Sequence, residues 1–197
     1  MMKSLDRFFL FLPILFLIFS GCVNAPPRDL FPDLRYSHLK PIGLAVNSVE
    51  IKISYVSPKQ IPNVEHKFPI APAKAASNWL EDRIRAVGGI DSLRATVTLG
   101  RVVEVELPRT PGFKGAFMVD QSERYDGELE IVLEIIDPNG KRRAMVSSRA
   151  VRSRSVAEDS TLSNREDIWF RMTEAMMNDL YEALEKQISK HFSIWRR

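Results

Sequence analysis

The only thiol in the sequence is Cys22. It is a nucleophile or an attachment point, and it has no second cysteine with which to form an internal disulfide. The histidines, His38, His66 and His191, have no second histidine or carboxylate at metal-ligand spacing, so no metal site is expected. Glu128, Glu130 and Glu134 share one parity. Paired carboxylates can serve as general acid and base in a glycosidase, but this spacing is better explained as the solvated face of a strand. Lys141, Arg142 and Arg143 would balance them across a hairpin. Arg149, Arg152 and Arg154 suit contact with anionic lipid, glycan or a partner, and equally the charged rim of an edge strand. Phe113, Phe117 and Met118 sit in a long glycine-bearing loop, Pro108 to Glu123. They are either a partner contact or a lid folded over the core. There is no G-x-S-x-G, P-loop or G-x-G-x-x-G, and no serine has a recognisable base. No catalytic residue, cofactor or small-molecule substrate is assigned.

The setting of Cys22 says more than its chemistry. A short, slightly basic start (Lys3, Arg7) precedes thirteen uncharged residues, Phe8 to Ser20. Spanning a bilayer as a helix takes about 20 apolar residues, so this run suits a secretory signal instead. It ends in Phe19-Ser20-Gly21-Cys22, which resembles the lipobox of bacterial lipoproteins, with phenylalanine where leucine is commoner. The resemblance implies a signal peptide over 1–21. It also implies a diacylglycerol thioether on Cys22, cleavage before it, and usually an N-acyl chain such as palmitate. Val23 follows where aspartate would mark retention at the inner membrane. The resemblance therefore implies an outer-membrane anchor facing the periplasm, with the inner membrane as the alternative.

Removing residues 1–21 leaves 176, enough for one domain with a real core. The remaining chain has 26 basic and 24 acidic side chains, a formal charge of +2, which demands no nucleic-acid partner.

The elements that position these groups follow from periodicity. Residues 22–41 hold prolines 26, 27, 32 and 41 and read as a tether whose Leu30, Phe31, Leu34 and Tyr36 are able to dock on the domain. The domain is expected over 42–197. Ile42 to Val56 reads as one strand bent near Asn47-Ser48, and Pro72 to Val87 as a helix with Ala76, Leu80, Ile84 and Val87 on its buried face. Ser92 to Leu107 reads as a strand with Leu93, Ala95, Val97, Leu99, Val103 and Val105 inward and Arg101 interrupting. Arg124 to Ile136 is a third strand. Asp137-Pro138-Asn139-Gly140 is a type I turn into the fourth. A long helix follows, with a capping box expected at Ser163 to Glu166 and a stripe of Ile168, Met172, Met176, Leu180, Leu184, Ile188 and Phe192.

The order β-α-β-β-β-α predicts an α+β two-layer sandwich: a mostly antiparallel four-stranded sheet with two helices on one face. In size and element order it resembles small envelope lipoproteins, among them transport-auxiliary lipoproteins of the paraquat-inducible lipoprotein C type. That resemblance implies a non-enzymatic binding or scaffolding component, accessory to a transport system, with a protein partner in the envelope. An envelope hydrolase with a site not recognisable from sequence is the alternative.

Overall fold

The elements follow the order β1 (Ile42–Leu44), β2 (Ser48–Ile53), α1 (Pro72–Arg83), β3 (Ile84–Ala86), β4 (Ser92–Glu106), β5 (Gln121–Ile136), β6 (Arg142–Ala157) and α2 (Leu162–His191). They come from a computed structural model that describes residues 31–108 and 121–197. The main sheet has the order β2-β4-β5-β6. β2 runs parallel to β4, and the other neighbours are antiparallel. β1 and β3 form a small parallel sheet of their own. The fold is α+β, with both helices on one face of the four-stranded sheet.

β5 shows why. Tyr125, Leu129, Ile131, Leu133 and Ile135 are buried, and the residues between them are only partly covered. One face is therefore core, and the other meets water. α2 lays Met172, Met176, Leu180, Leu184 and Ile188 on that core face. Its 30 residues span about 45 Å. Ile168 is only half-buried, and its neighbour Trp169 takes the core position. The helix cap is Thr161, two residues before the expected Ser163: its hydroxyl accepts from the Asn164 amide at 3.2 Å.

Three expectations are corrected. Ile42 to Val56 is two strands in two sheets, because the chain turns away after Leu44 and pairs with β4 only from Ser48. α1 ends at Arg83. Ile84–Ala86 leaves it to pair with β1, which exposes Val87. In β4 a bulge between Val97 and Leu99 reverses the facing. Leu93, Ala95 and Val97 are buried before it, and Gly100 and Val102 after it. Arg101 thus interrupts nothing: it stands on the solvated face, and Leu99, Val103 and Val105, expected inward, share that face. Gly100 meets α1 so closely that a Cβ there would lie 2.6 Å from the Cβ of Ala73. Only glycine permits this helix–sheet approach.

The turn after β5 is as expected. The Gly140 amide donates to the Asp137 carbonyl at 2.9 Å, and the Asp137 carboxylate accepts from the Asn139 and Lys141 amides. Gly140 has φ +81°, the left-handed region.

Candidate functional site

The solvated sheet face carries the glutamates singled out in the sequence, and each has a cross-strand cation or hydroxyl. Glu128 pairs with Arg101 at 2.5 Å and with Arg149. Its carboxyl is held below the usual range, first by the Arg101 hydrogen bond and then, against a small burial penalty, by Arg149. Glu134 pairs with Arg142 at 3.1 Å, and Glu130 accepts from Thr98 at 2.6 Å. These carboxylates are committed to a lattice of alternating charge across neighbouring strands.

The arginines divide. β6 is an edge strand, so all three stand on a rim. Arg149 is on the solvated face with Glu128, while Arg152 has the parity of the helix side and pairs with Asp179 of α2 at 2.6 Å. Arg154 is exposed and has no ion-pair partner among the described residues. Cys22, Phe113, Phe117 and Met118 lie outside the described residues. The histidines are far apart along the fold: His38 precedes β1, His66 is in a 3-10 turn (Glu65–Lys67), and His191 ends α2. Among the described residues no group of three His, Cys, Asp or Glu side chains is placed to hold a metal.

Sequence periodicity missed a buried polar clasp. Asn78, Asp82 and Arg83 of α1 are at most 6% exposed, covered by the segment Asp33–Lys40. The Asn78 amide donates to the Asp33 carboxylate at 3.0 Å and to the Leu34 carbonyl at 3.1 Å. Asp82 accepts from the Tyr36 amide at 2.7 Å and from the Arg35 guanidinium. Arg83 donates to the Lys40 carbonyl at 2.8 Å. Tyr36 is buried edge-on against Tyr181 of α2, 6.1 Å between ring centres. Burial raises its phenol pKa, and Tyr181, Glu174 and Asp82 raise it further, so the phenol stays neutral. The signal was present in the sequence as two short polar residues one turn apart, Asn78 and Asp82, on the side of the helix that also carries Ala75 and Trp79. Between this segment and α2 lies a polar cleft of about 250 Å³, lined by Arg35, Tyr36, His38, Glu174, Asn178 and Tyr181 among others. No hydrogen bond joins His38 to Glu174 there, and the cleft offers polar contacts more than a nucleophile–base pair.

Replacing Asp82 by alanine leaves the buried Tyr36 amide unpaired, at a cost of about 2 kcal/mol. The expected outcome is selective loosening of Asp33–Lys40. Limited proteolysis should cut there in Asp82→Ala at enzyme levels that leave the wild type intact.

A second buried carboxylate, Glu65, is 2% exposed. It accepts from the Tyr55 hydroxyl at 2.7 Å, the Ser57 hydroxyl and the Val102 amide at 3.1 Å. Burial pushes its pKa up, but the Ser57 and Tyr55 hydroxyls and the backbone amides outweigh that and hold it below the ordinary value. It ties the loop after β2 to the inner edge of β4, where the Val64 amide also donates to the Val102 carbonyl.

No family model matches this chain, and no curated protein matches it. Among solved structures it is similar to a minor lipoprotein from Acinetobacter baumannii, with 13% identity and a TM-score of 0.36 over 75% of this chain and 93% of that one. It is similar to a candidate lipoprotein from Caulobacter crescentus, with 12% identity and a TM-score of 0.34 over 72% and 91%. A third is a DUF330 family protein from Xanthomonas campestris, with 10% identity and a TM-score of 0.30 over 75% and 97%. Similarity at this level carries nothing from those proteins to the role of this one.

Proposed function

We propose that this chain is a lipid-anchored envelope lipoprotein, a non-enzymatic binding or scaffolding component accessory to a transport assembly, held on the periplasmic face of the outer membrane. The observation that carries the reading is Phe19-Ser20-Gly21-Cys22 closing a thirteen-residue uncharged run. The clasp supports it. Asp33 to Lys40 is bound to α1, and Cys22 lies only 11 residues before Asp33, a stretch whose contour length is at most about 40 Å. A domain joined to its lipid by so few residues stays near the lipid surface. The carboxylates of the sheet face and Glu65 are engaged in structural pairs, which also suits a binding role. Its protein partner would meet the arginine edge strand or the loop bearing Phe113, Phe117 and Met118.

The test is Cys22→Ser in the native envelope. The wild type should fractionate with membranes, and its N-terminal peptide should begin at an acylated Cys22. Cys22→Ser should lose lipid and cleavage together. A wild-type chain with an unmodified cysteine would overturn the proposal. Stable attachment takes more than one acyl chain, so loss of the thioether alone should release most of the mature anchoring.

A further inference from the structure

One corner of the domain combines exposed aliphatic side chains with unneutralised arginines. Val87, Ile90 and Ile194 are 52%, 75% and 64% exposed. The backbone brings them together from distant parts of the chain. The Val87 amide donates to the Leu44 carbonyl at 2.9 Å, and the Arg197 amide donates to the Gly43 carbonyl at 3.0 Å. A Cβ on Gly43 would lie 3.3 Å from the Val87 side chain and 3.4 Å from the Arg197 carbonyl, so both residues flank that glycine. Ile90 lies between Gly89, packed on the Ala45 carbonyl, and Asp91, which accepts from the Trp195 indole at 2.8 Å. Ile194 is next to that tryptophan. Gly89, with φ +150°, packs so closely on Ala45 that a side chain there would have no room.

Arg85, Arg196 and Arg197 neighbour these aliphatics along the chain, all exposed and without a carboxylate partner among the described residues; Arg85 donates to the Glu81 and Ile84 carbonyls, Arg196 to the Ser189 hydroxyl and Arg197 to the Ile194 carbonyl. The acidic groups nearby are otherwise engaged. Asp91 is buried and pairs with Arg143 at 2.8 Å, and Glu81 faces Arg35 at 3.9 Å. Exposed aliphatics beside arginines match a bilayer interface, where the apolar groups enter the headgroup layer and the cations meet phosphate. We infer that the corner formed by Val87, Ile90, Ile194, Arg85, Arg196 and Arg197 docks on an anionic lipid surface and so orients the domain on its membrane. The inference rests on the lipid-anchored reading, in which the acylated Cys22 lies 11 residues before Asp33. The charge complement favours anionic lipid over a protein surface, which would bury the aliphatics in a matching pocket.

The experiment uses the full chain purified from membranes. Intact mass is read first: an unmodified Cys22 overturns the anchoring itself, before any docking is measured. With Cys22 acylated, Ile194→Cys introduces the only free thiol, which takes an environment-sensitive dye. Val151→Cys, exposed on the opposite sheet face, is the reference. Each is reconstituted in phosphatidylcholine vesicles, with and without phosphatidylglycerol, carrying a lipid-borne quencher. The dye at 194 should be quenched when phosphatidylglycerol is present, progressively less as salt rises, while the dye at 151 is not. Arg196→Gln with Arg197→Gln should lower quenching at 194 by roughly an order of magnitude. An unquenched dye at 194 on an acylated chain overturns the inference, and so does equal quenching at 151 or independence from phosphatidylglycerol. The corner would then be left for a protein partner.

Discussion

Leu180→Asp abolishes the cooperative thermal transition of the domain. Leu180 has no exposed surface and lies mid-way along α2. Its carbonyl accepts from the Ser148 hydroxyl of β6 at 3.1 Å, so helix and sheet are in direct contact at that level. A carboxylate there has no cation within the packed layer. Burying it unpaired costs several kcal/mol even after relaxation, against a total stability of about 5–15 kcal/mol for a domain of this size. A scan of circular dichroism with temperature should show no sigmoidal step. A midpoint within a few degrees of wild type would mean that α2 does not cover β5 and β6. Leu180→Met, which conserves volume, should fold normally.

Glu65→Gln is expected to destabilise by about 3 kcal/mol, since the carboxylate accepts several hydrogen bonds and those to a charged acceptor are the stronger kind. The amide keeps the shape but presents donors to hydroxyls that now also donate. The effect depends on pH. Folding lowers the Glu65 pKa, so its contribution is fully present above the unfolded value of about 4.5 and is lost as pH falls through the lower folded value. Denaturant melts of wild type and variant should differ most near neutrality and converge below that range. A difference independent of pH would mean that the carboxylate's charge is not what holds the loop.

How legible this was in the sequence depended on the kind of interaction. β5 was readable because strict alternation from Tyr125 to Ile135 has one explanation, a half-buried strand. The hairpin turn was readable because Asp137, Pro138 and Gly140 each have a specific backbone role. β4 was half readable. Its bulge near Thr98 leaves no compositional mark, yet it inverts every facing after it, so parity counted from Leu93 fails from Leu99 onward. The split of β1 from β2 was hidden for a similar reason: both are short and apolar-rich, and pairing partners far along the chain decide which sheet each joins. The clasp around Asp82 was hidden because apolar periodicity does not see polar groups that are buried by being paired. Among the candidate residues, the edge position of Arg149, Arg152 and Arg154 was anticipated by their density on one strand. Their division between two faces followed from register alone.

The small sheet has a consequence for how the protein is made. β1 begins only a few residues after the clasp, yet it is completed from the other terminus: Trp195 accepts from the Ala45 amide at 2.6 Å, and Arg196 bridges to Leu44. The first strand in sequence order is therefore closed by residues about 150 positions further on. Contacts of such long sequence separation form slowly, because the loop entropy must be lost before they are made. A ribosome delivers about 5–20 residues per second, so the amino-terminal half waits many seconds for the residues that complete it. The small sheet therefore stays incomplete until residues 195 and 196 have been made, although the main sheet needs neither of them.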